Sequence, residues 1–329
     1  MYSCTHIKEK ILPEELDDYL SKGWYRMVHT IFAANILRRE GQLVNAIWLR
    51  HPLHSWQPGT TFKKLAKRNA SFRIEFGPLE ITTDHEALYS IYRNYKFEDD
   101  QADLRQSLFG PETSNPFDSW VVNCYDDDKL IAAGIFDRGI KTAAGIVSFF
   151  DPAYEKFSLG TYLIYQKMIF CKSQGLEYFY PGYILTGVPE FDYKLSIGRN
   201  STEYFQLASE TWLPWSDFTR EEWHLENMVL HLEKTKEELE AKGKFAKLVY
   251  YDPFDITFYS QYAGQFWDCP VYLNLGVVEG YETELIVKYD IKSRQNQFFL
   301  TELTTEEDYM IRDGKTFCVV LQWFDRVNQ

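Results

Sequence analysis

The sequence predicts an α+β fold: two α/β halves with mixed, largely antiparallel sheets, followed by a long helix and a β-rich extension. Three observations carry that prediction. Apolar, strand-like runs at residues 120–125, 130–136 and 145–150 are separated only by polar turns, the pattern of an antiparallel meander. The third run leads through a loop ending in Ser158-Leu159-Gly160-Thr161-Tyr162 into an apolar helical stretch from there to Lys172, with Gly175 at the C′ position, and then into another strand at 176–180. That is a β-loop-α-β unit, whose helix N-terminus offers unpaired N–H groups. Residues 217–242 carry a helical stripe of Leu225, Met228, Val229, Leu232 and Leu239, and short strand-like runs follow.

In chain order, residues 13–22 predict a short helix with Pro13 near N1, acids in its first turn and Gly23 at its end. Residues 43–49 read as a strand, 62–68 as a basic turn of helix, and 71–76 alternate like a half-buried strand. Thr83 and Glu86 have capping-box spacing, opening a helix with Leu88, Ile91, Tyr92 and Tyr95 on one face. Residues 1–115 are thus the first half, 110–117 a linker with Pro111 and Pro116, and 116–205 the second half. Asp126-Asp127-Asp128-Lys129 is a hairpin turn, and Asp137-Arg138-Gly139 the next turn. Asp151-Pro152 ends the third strand, because proline cannot donate to a ladder. Pro181-Gly182 is expected to stop the strand after the helix. In the extension, 206–329, Thr219 and Glu222 have capping-box spacing and Gly243 closes the long helix. Strands are expected at 245–251, 271–275, 283–289, 297–303 and 317–321.

A meander running straight into a β-loop-α-β crossover is the element order of the GNAT acyltransferase fold. Ser148-Phe149-Phe150-Asp151-Pro152, Ser158-Leu159-Gly160-Thr161-Tyr162, Tyr180-Pro181-Gly182-Tyr183 and Asp192-Tyr193-Lys194 come in the order and near the spacing of a known family. This stretch resembles the C-terminal half of the aminoacyl-tRNA–protein transferases, the arginyl- and leucyl-transferases of the N-degron pathway. Gly23-Trp24-Tyr25-Arg26, Arg68-Asn69, and Leu88-Tyr89 with Tyr92-Arg93 are collinear N-terminal matches. The resemblance implies two GNAT-like halves that transfer arginine or leucine from aminoacyl-tRNA to the α-amine of an acceptor protein. The acceptor would have an acidic first residue and would be marked for degradation. Two departures stand out. The cysteine pairs or clusters of relatives are missing, with Ile31-Phe32-Ala33-Ala34-Asn35 in the equivalent stretch, so no bound metal is expected. Glu190 replaces a basic residue before Asp192-Tyr193-Lys194, which bears on acceptor or tRNA preference.

Composition sets further bounds. The 329 residues leave room for two domains, and aromatics reach 17%. No apolar run of membrane-spanning length and no signal-peptide pattern is present, so a cytoplasmic protein without membrane association is expected. Five scattered cysteines fit a reducing compartment and no disulfide scaffold. The net charge of −13 is unevenly divided. Residues 1–80 hold twelve Lys/Arg against eight Asp/Glu, a net of +4, whereas residues 201–329 hold twelve against twenty-three, a net of −11. RNA contact is therefore expected through the basic stripe that includes Arg38, Arg39, Lys63, Lys64, Lys67 and Arg68. A solvated helix face is the plainer reading of the same charges.

Moving an aminoacyl ester to an amine requires alignment, stabilisation of an oxyanion and removal of a proton. The ester is already activated, so neither cofactor, metal nor nucleophilic residue is needed. The loop Ser158-Leu159-Gly160-Thr161, at the helix start, offers backbone N–H groups to a carbonyl or the terminal adenosine; an ordinary glycine-containing loop is the plainer reading. By position, Asp137 matches a family aspartate that would hold a cationic group of the incoming amino acid; alone, it reads as a turn residue. Tyr180, Tyr183 and Tyr193 would shape the acceptor pocket or relay protons, or simply pack. Lys194 would contact a phosphate or an acidic acceptor residue. His51-Pro52-Leu53-His54 reads as a surface loop, not as a pair of metal ligands. An acyl-CoA-dependent N-acyltransferase and a non-catalytic binding protein are the competing readings. The single glycine of Glu155-Lys156-Phe157-Ser158-Leu159-Gly160 counts against the first of these.

Overall fold

The computed structural model describes residues 3–99, 101–111, 114–251, 254, 269–279 and 283–302. The N-terminal part runs β1 (Ser3–His6), α1 (Pro13–Ser21), β2 (Tyr25–Met27), β3 (Thr30–Ala34), β4 (Ile36–Arg39) and β5 (Gln42–Pro52). It continues with α2 (Thr60–Arg68), β6 (Arg73–Pro78), α3 (Thr83–Phe97) and α4 (Leu104–Phe109). The expected meander is β7 (Ser119–Asp126), β8 (Lys129–Arg138) and β9 (Thr142–Phe150). The crossover follows through a 3-10 turn, α5 (Leu159–Ser173) and β10 (Tyr178–Leu185). Then come α6 (Tyr193–Gly198), β11 (Glu203–Gln206), β12 (Thr211–Pro214) and α7 (His224–Glu240), and last β13 (Lys247–Tyr250), β14 (Val271–Val277), β15 (Thr283–Asp290) and β16 (Gln295–Glu302). The strand expected at 317–321 lies outside the described residues.

The α+β class is therefore as expected, organised on a nine-stranded sheet of order β12-β11-β5-β10-β9-β8-β7-β6, with β4 paired to β5. Among the described residues only β9 and β10 pair in parallel, as a crossover helix requires. β5 and β6, from the first 80 residues, are strands of this same sheet. Alternation along the strands divides its core. Val122, Cys124 and Phe136 pack under α5 and α2, whereas Val121, Ala133, Ile135 and Phe149 pack under α3 and α4. A small sheet, β1-β3-β2, packs with α1 through Leu16, Leu20, Ile31 and Phe32. The C-terminal sheet, β13-β14-β15-β16, is covered by α7 through Met228 and Leu232. Fully buried Asn45 ties α7 to β5: its carbonyl oxygen accepts from Leu225 N at 2.7 Å and its amide donates to Glu226 Oε2 at 2.5 Å.

Four local expectations need correction. Pro181-Gly182 does not end β10, which continues to Leu185 through a register shift between Phe179 and Gly182. Pairing with β9 has already stopped at Tyr180 and Ala144, so the missing N–H of Pro181 costs no bond to β9. The cap of α3 is Thr82 with His85, and Glu86 instead accepts from Leu104 N at 2.7 Å, holding the start of α4. The long helix begins at His224, after 3-10 turns, because Trp223 has φ −82° and ψ 77°. Finally, His51 is not on a surface loop. It is fully buried at the end of β5, against Gly198, where a β-carbon would come within 2.1 Å of its Nδ1. Burial lowers its pKa to about 3, so the ring is neutral.

Candidate active site

The parting of β9 and β10 creates the site. Beyond Ala144 and Tyr180 the two strands no longer pair, and a cavity of about 790 Å³ opens between them. Gly145, Ile146, Val147 and Ser148 line one side and Pro181, Gly182 and Tyr183 the other. Gly160, Thr161, Ile164 and Lys167 reach it from α5, Tyr92, Lys96 and Phe97 from α3, and Tyr25 and Arg26 from β2. Tyr25 bridges the gap. Its buried hydroxyl faces both Gly145 O and Tyr180 O, the latter at 3.0 Å, and its one proton serves one carbonyl at a time.

The α5 entrance is built by backbone conformation. Ser158 takes a left-handed conformation, φ 54° and ψ 45°, and its hydroxyl makes no cap hydrogen bond. The first-turn N–H groups of the helix are therefore left for another acceptor. Gly160 and Thr161 face the cavity, whereas Leu159 is buried in the core and neither it nor Ser158 is among the lining residues.

Tyr183, Tyr193 and Lys194 come together on the other side. Lys194 is 8% exposed and donates from Nζ to Tyr183 O at 2.6 Å. The rings of Phe191, Tyr183 and Tyr193 surround the ammonium at 4.9, 5.2 and 6.0 Å. Burial lowers its pKa to about 7. Burial likewise raises the pKa of Tyr183 and of Tyr193. Tyr180 lies elsewhere: it is buried edge-on against Trp212 at 5.4 Å, and burial pushes its pKa up to about 12.

Asp137 also lies outside the cavity lining. It is fully buried, and both carboxylate oxygens face Arg26 Nη1, at 2.9 and 3.2 Å, with Ser119 Oγ donating to Oδ1. Burial raises its pKa, opposed by Arg26 and Ser119. Arg26 donates further to Val28 O at 2.6 Å and Leu108 O at 2.7 Å, and its guanidinium stacks over Phe117 at 4.5 Å. Asp137 thus fixes a cavity-lining arginine and makes no approach of its own.

The basic residues separate into two groups. Lys63, Lys64, Lys67 and Arg68 are exposed on α2, which packs through Phe62 on Tyr162 and Tyr165 of α5, away from the lining residues of that helix. Arg39 is at the cavity rim, paired with Glu190 at 2.8 Å, and Arg38 precedes it on β4. Among the described residues no group of three or more His, Cys, Asp or Glu could hold a metal ion. Sequence reasoning assigned no role to Tyr25, Arg26 or Lys167. The first two stand inside the Gly23–Arg26 motif, but Lys167 has only its place in an apolar helix to mark it.

Residues 84–202 match the family described as "Arginine-tRNA-protein transferase, C terminus". Among curated proteins, an aspartate/glutamate leucyltransferase of Leptospira interrogans is 27% identical over 213 residues, covering 58% of this chain and 80% of that protein. One from Thiobacillus denitrificans is 28% identical over 211 residues, covering 59% and 85%. Among solved structures, the C-terminal domain of a putative lysylphosphatidylglycerol synthetase from Agrobacterium fabrum aligns at a TM-score of 0.35 and 15% identity, over 42% of this chain and 46% of that one.

Proposed function

We propose leucyl transfer for this chain, which belongs to the aminoacyl-tRNA–protein transferase family and is an enzyme that moves an aminoacyl group from tRNA to a protein N-terminus. In this reading the donor is leucyl-tRNA and the acceptor is a protein beginning with aspartate or glutamate. The names of the relatives suggest it, and the charge of the cavity supports it. Arg26, Lys96, Lys167 and Lys194 line the cavity, and among the described residues Glu190 is its only carboxylate. Glu190 is already paired with Arg39. An arginyl guanidinium would meet Lys96, Lys194 and an Arg26 already paired with Asp137, with no free acid among the described residues, whereas a leucyl side chain finds Phe32, Leu37, Ile164 and Phe179.

Each need of the reaction then has a group. The first turn of α5 donates to the ester carbonyl as it becomes an oxyanion. Lys194, in its aromatic cage, receives the acidic side chain of the acceptor. The exposed basic face of α2 holds tRNA phosphates. A cytoplasmic location, where charged tRNA is found, and a role in marking proteins for degradation belong to the same proposal.

The test offers leucyl-tRNA, arginyl-tRNA and acetyl-CoA, each labelled, to peptides beginning with Asp, Glu or Ala. Leucine should appear on the Asp and Glu peptides only. Arginine transferred as fast as leucine, or acetyl transfer instead, would overturn the reading.

A further inference from the structure

We propose that Ser148 and Lys167 form a proton-accepting pair in the floor of the cavity, acting on the acceptor's α-amine. This rests on the transferase reading above. Lys167 is 2% exposed, on the cavity face of α5, and its Nζ lies 3.2 Å from Ser148 Oγ and 3.4 Å from Ile135 O. Both residues line the cavity, Ser148 from the strand edge that β10 has just left. Two glycines leave room for the amine: β-carbons at Gly134 and Gly145 would lie 3.4 and 3.7 Å from Nζ.

A buried ammonium is costly without an anion, and a methionine would fill the same space without that cost. The groups facing Lys167 supply no anion. β8 presents the Ile135 carbonyl, β9 the Ser148 hydroxyl and β10 the Phe179 ring. On its own helix the neighbouring group is the Cys171 thiol, itself held protonated by burial, with Arg138 beyond it. Burial lowers the Lys167 pKa to about 7, so a neutral amine is available near neutral pH. A base titrating there is suited to removing a proton from an attacking amine.

The step balances without any further reactant. The acceptor amine attacks the ester carbonyl carbon, a C–N bond forms, and the C–O bond to the terminal ribose breaks. As the amine loses its proton to Ser148 Oγ, the Ser148 proton passes to Lys167 Nζ. The resulting ammonium returns a proton through Ser148 to the departing ribose oxygen.

The experiment measures single-turnover transfer from leucyl-tRNA to an Asp-initiated peptide across pH 6–9, in the wild type and in Lys167→Met, Lys167→Arg and Ser148→Ala. Wild-type rates should rise through about pH 7. Both Lys167 variants should lose on the order of a hundredfold or more in rate with peptide KM little changed, and the limb near neutrality should vanish. Ser148→Ala should fall in the same direction. An active Lys167→Arg would mean that positive charge alone is required and would overturn the base. In parallel, ζ-15N NMR of lysine-labelled wild type, assigned with Lys167→Met, reads the titration without any substrate. A Lys167 signal titrating near 10 would overturn the pair whatever the donor specificity proves to be. A wild type inactive with leucyl-tRNA but titrating near 7 would instead condemn the leucyl reading.

Discussion

Arg26 and Asp137, 111 residues apart in sequence, form an ion pair at 2.9 Å with both side chains essentially excluded from solvent. It joins the short β2 strand to the end of β8 and aims a cavity-lining arginine. Asp137→Asn removes the charge that compensates Arg26, and stranding one partner of a buried pair costs about 3–5 kcal/mol. We expect a large drop in the denaturation midpoint and at least a tenfold loss of transfer. Arg26→Met combined with Asp137→Leu should recover stability but not activity, as a double-mutant cycle would show. If Asp137→Asn lost transfer with its stability intact, Asp137 would be a direct ligand, as its sequence position suggested.

What the sequence made legible follows from where information is local. The meander, the crossover and the helix after Gly160 are written in apolar runs and turn residues within a few positions of each other. The gathering of Tyr183, Tyr193 and Lys194 was likewise visible, because two short motifs lie within twelve residues. Asp137 could not be placed, since its partner is on another strand far away. Lys167 was hidden because a lysine in a helix ordinarily lies at the surface, and only the packed sheet reveals it inside. Pro181-Gly182 read as a stop because its local signal is the same for a strand end and for a bulge.

Gly182 has φ +92°, a backbone conformation costly for any residue with a β-carbon. A β-carbon there would also lie 3.5 Å from Lys194 Nζ. Gly182→Ala should therefore cost about 1–3 kcal/mol of stability. Relieving that strain shifts the backbone next to Tyr183 O, which accepts from Lys194 Nζ, and should raise KM for acidic peptides more than it lowers kcat. Equal KM for wild type and variant would separate Lys194 from acceptor recognition.

Charge reversal of Lys63, Lys64 and Lys67 tests the exposed face of α2. The slope of log binding constant against log salt should become shallower by roughly 0.7–0.9 for each phosphate the variant no longer neutralises. The Asp137 pair and the cavity are remote from this face, so turnover at saturating tRNA should hold. An unchanged slope would make α2 a solvated face only.

The two buried lysines should leave a signature in stability as well as in catalysis. Lys167 and Lys194 have folded-state pKa values near 7, depressed by burial from the ordinary 10.5. Below pH 7 both the folded and the unfolded chain hold these protons, so the pair gives no slope. Between about 7 and 10.5 only the unfolded chain holds them, and a state that binds more protons is favoured less as pH rises. Stability should thus increase with pH across that window, by at most about 1.4 kcal/mol per pH unit for each lysine. Lys167→Met removes one such group. Its urea midpoint should exceed the wild type's at pH 7, and the gap should narrow by pH 9.5 as the wild-type lysine sheds its proton. Lys194→Met should narrow in the same way but gain less at pH 7, because it also loses the bond to Tyr183 O and the aromatic cage. Parallel curves for wild type and Lys167→Met from pH 7 to 9.5 would mean that Lys167 titrates outside this range, and the base assigned to it would fall with them.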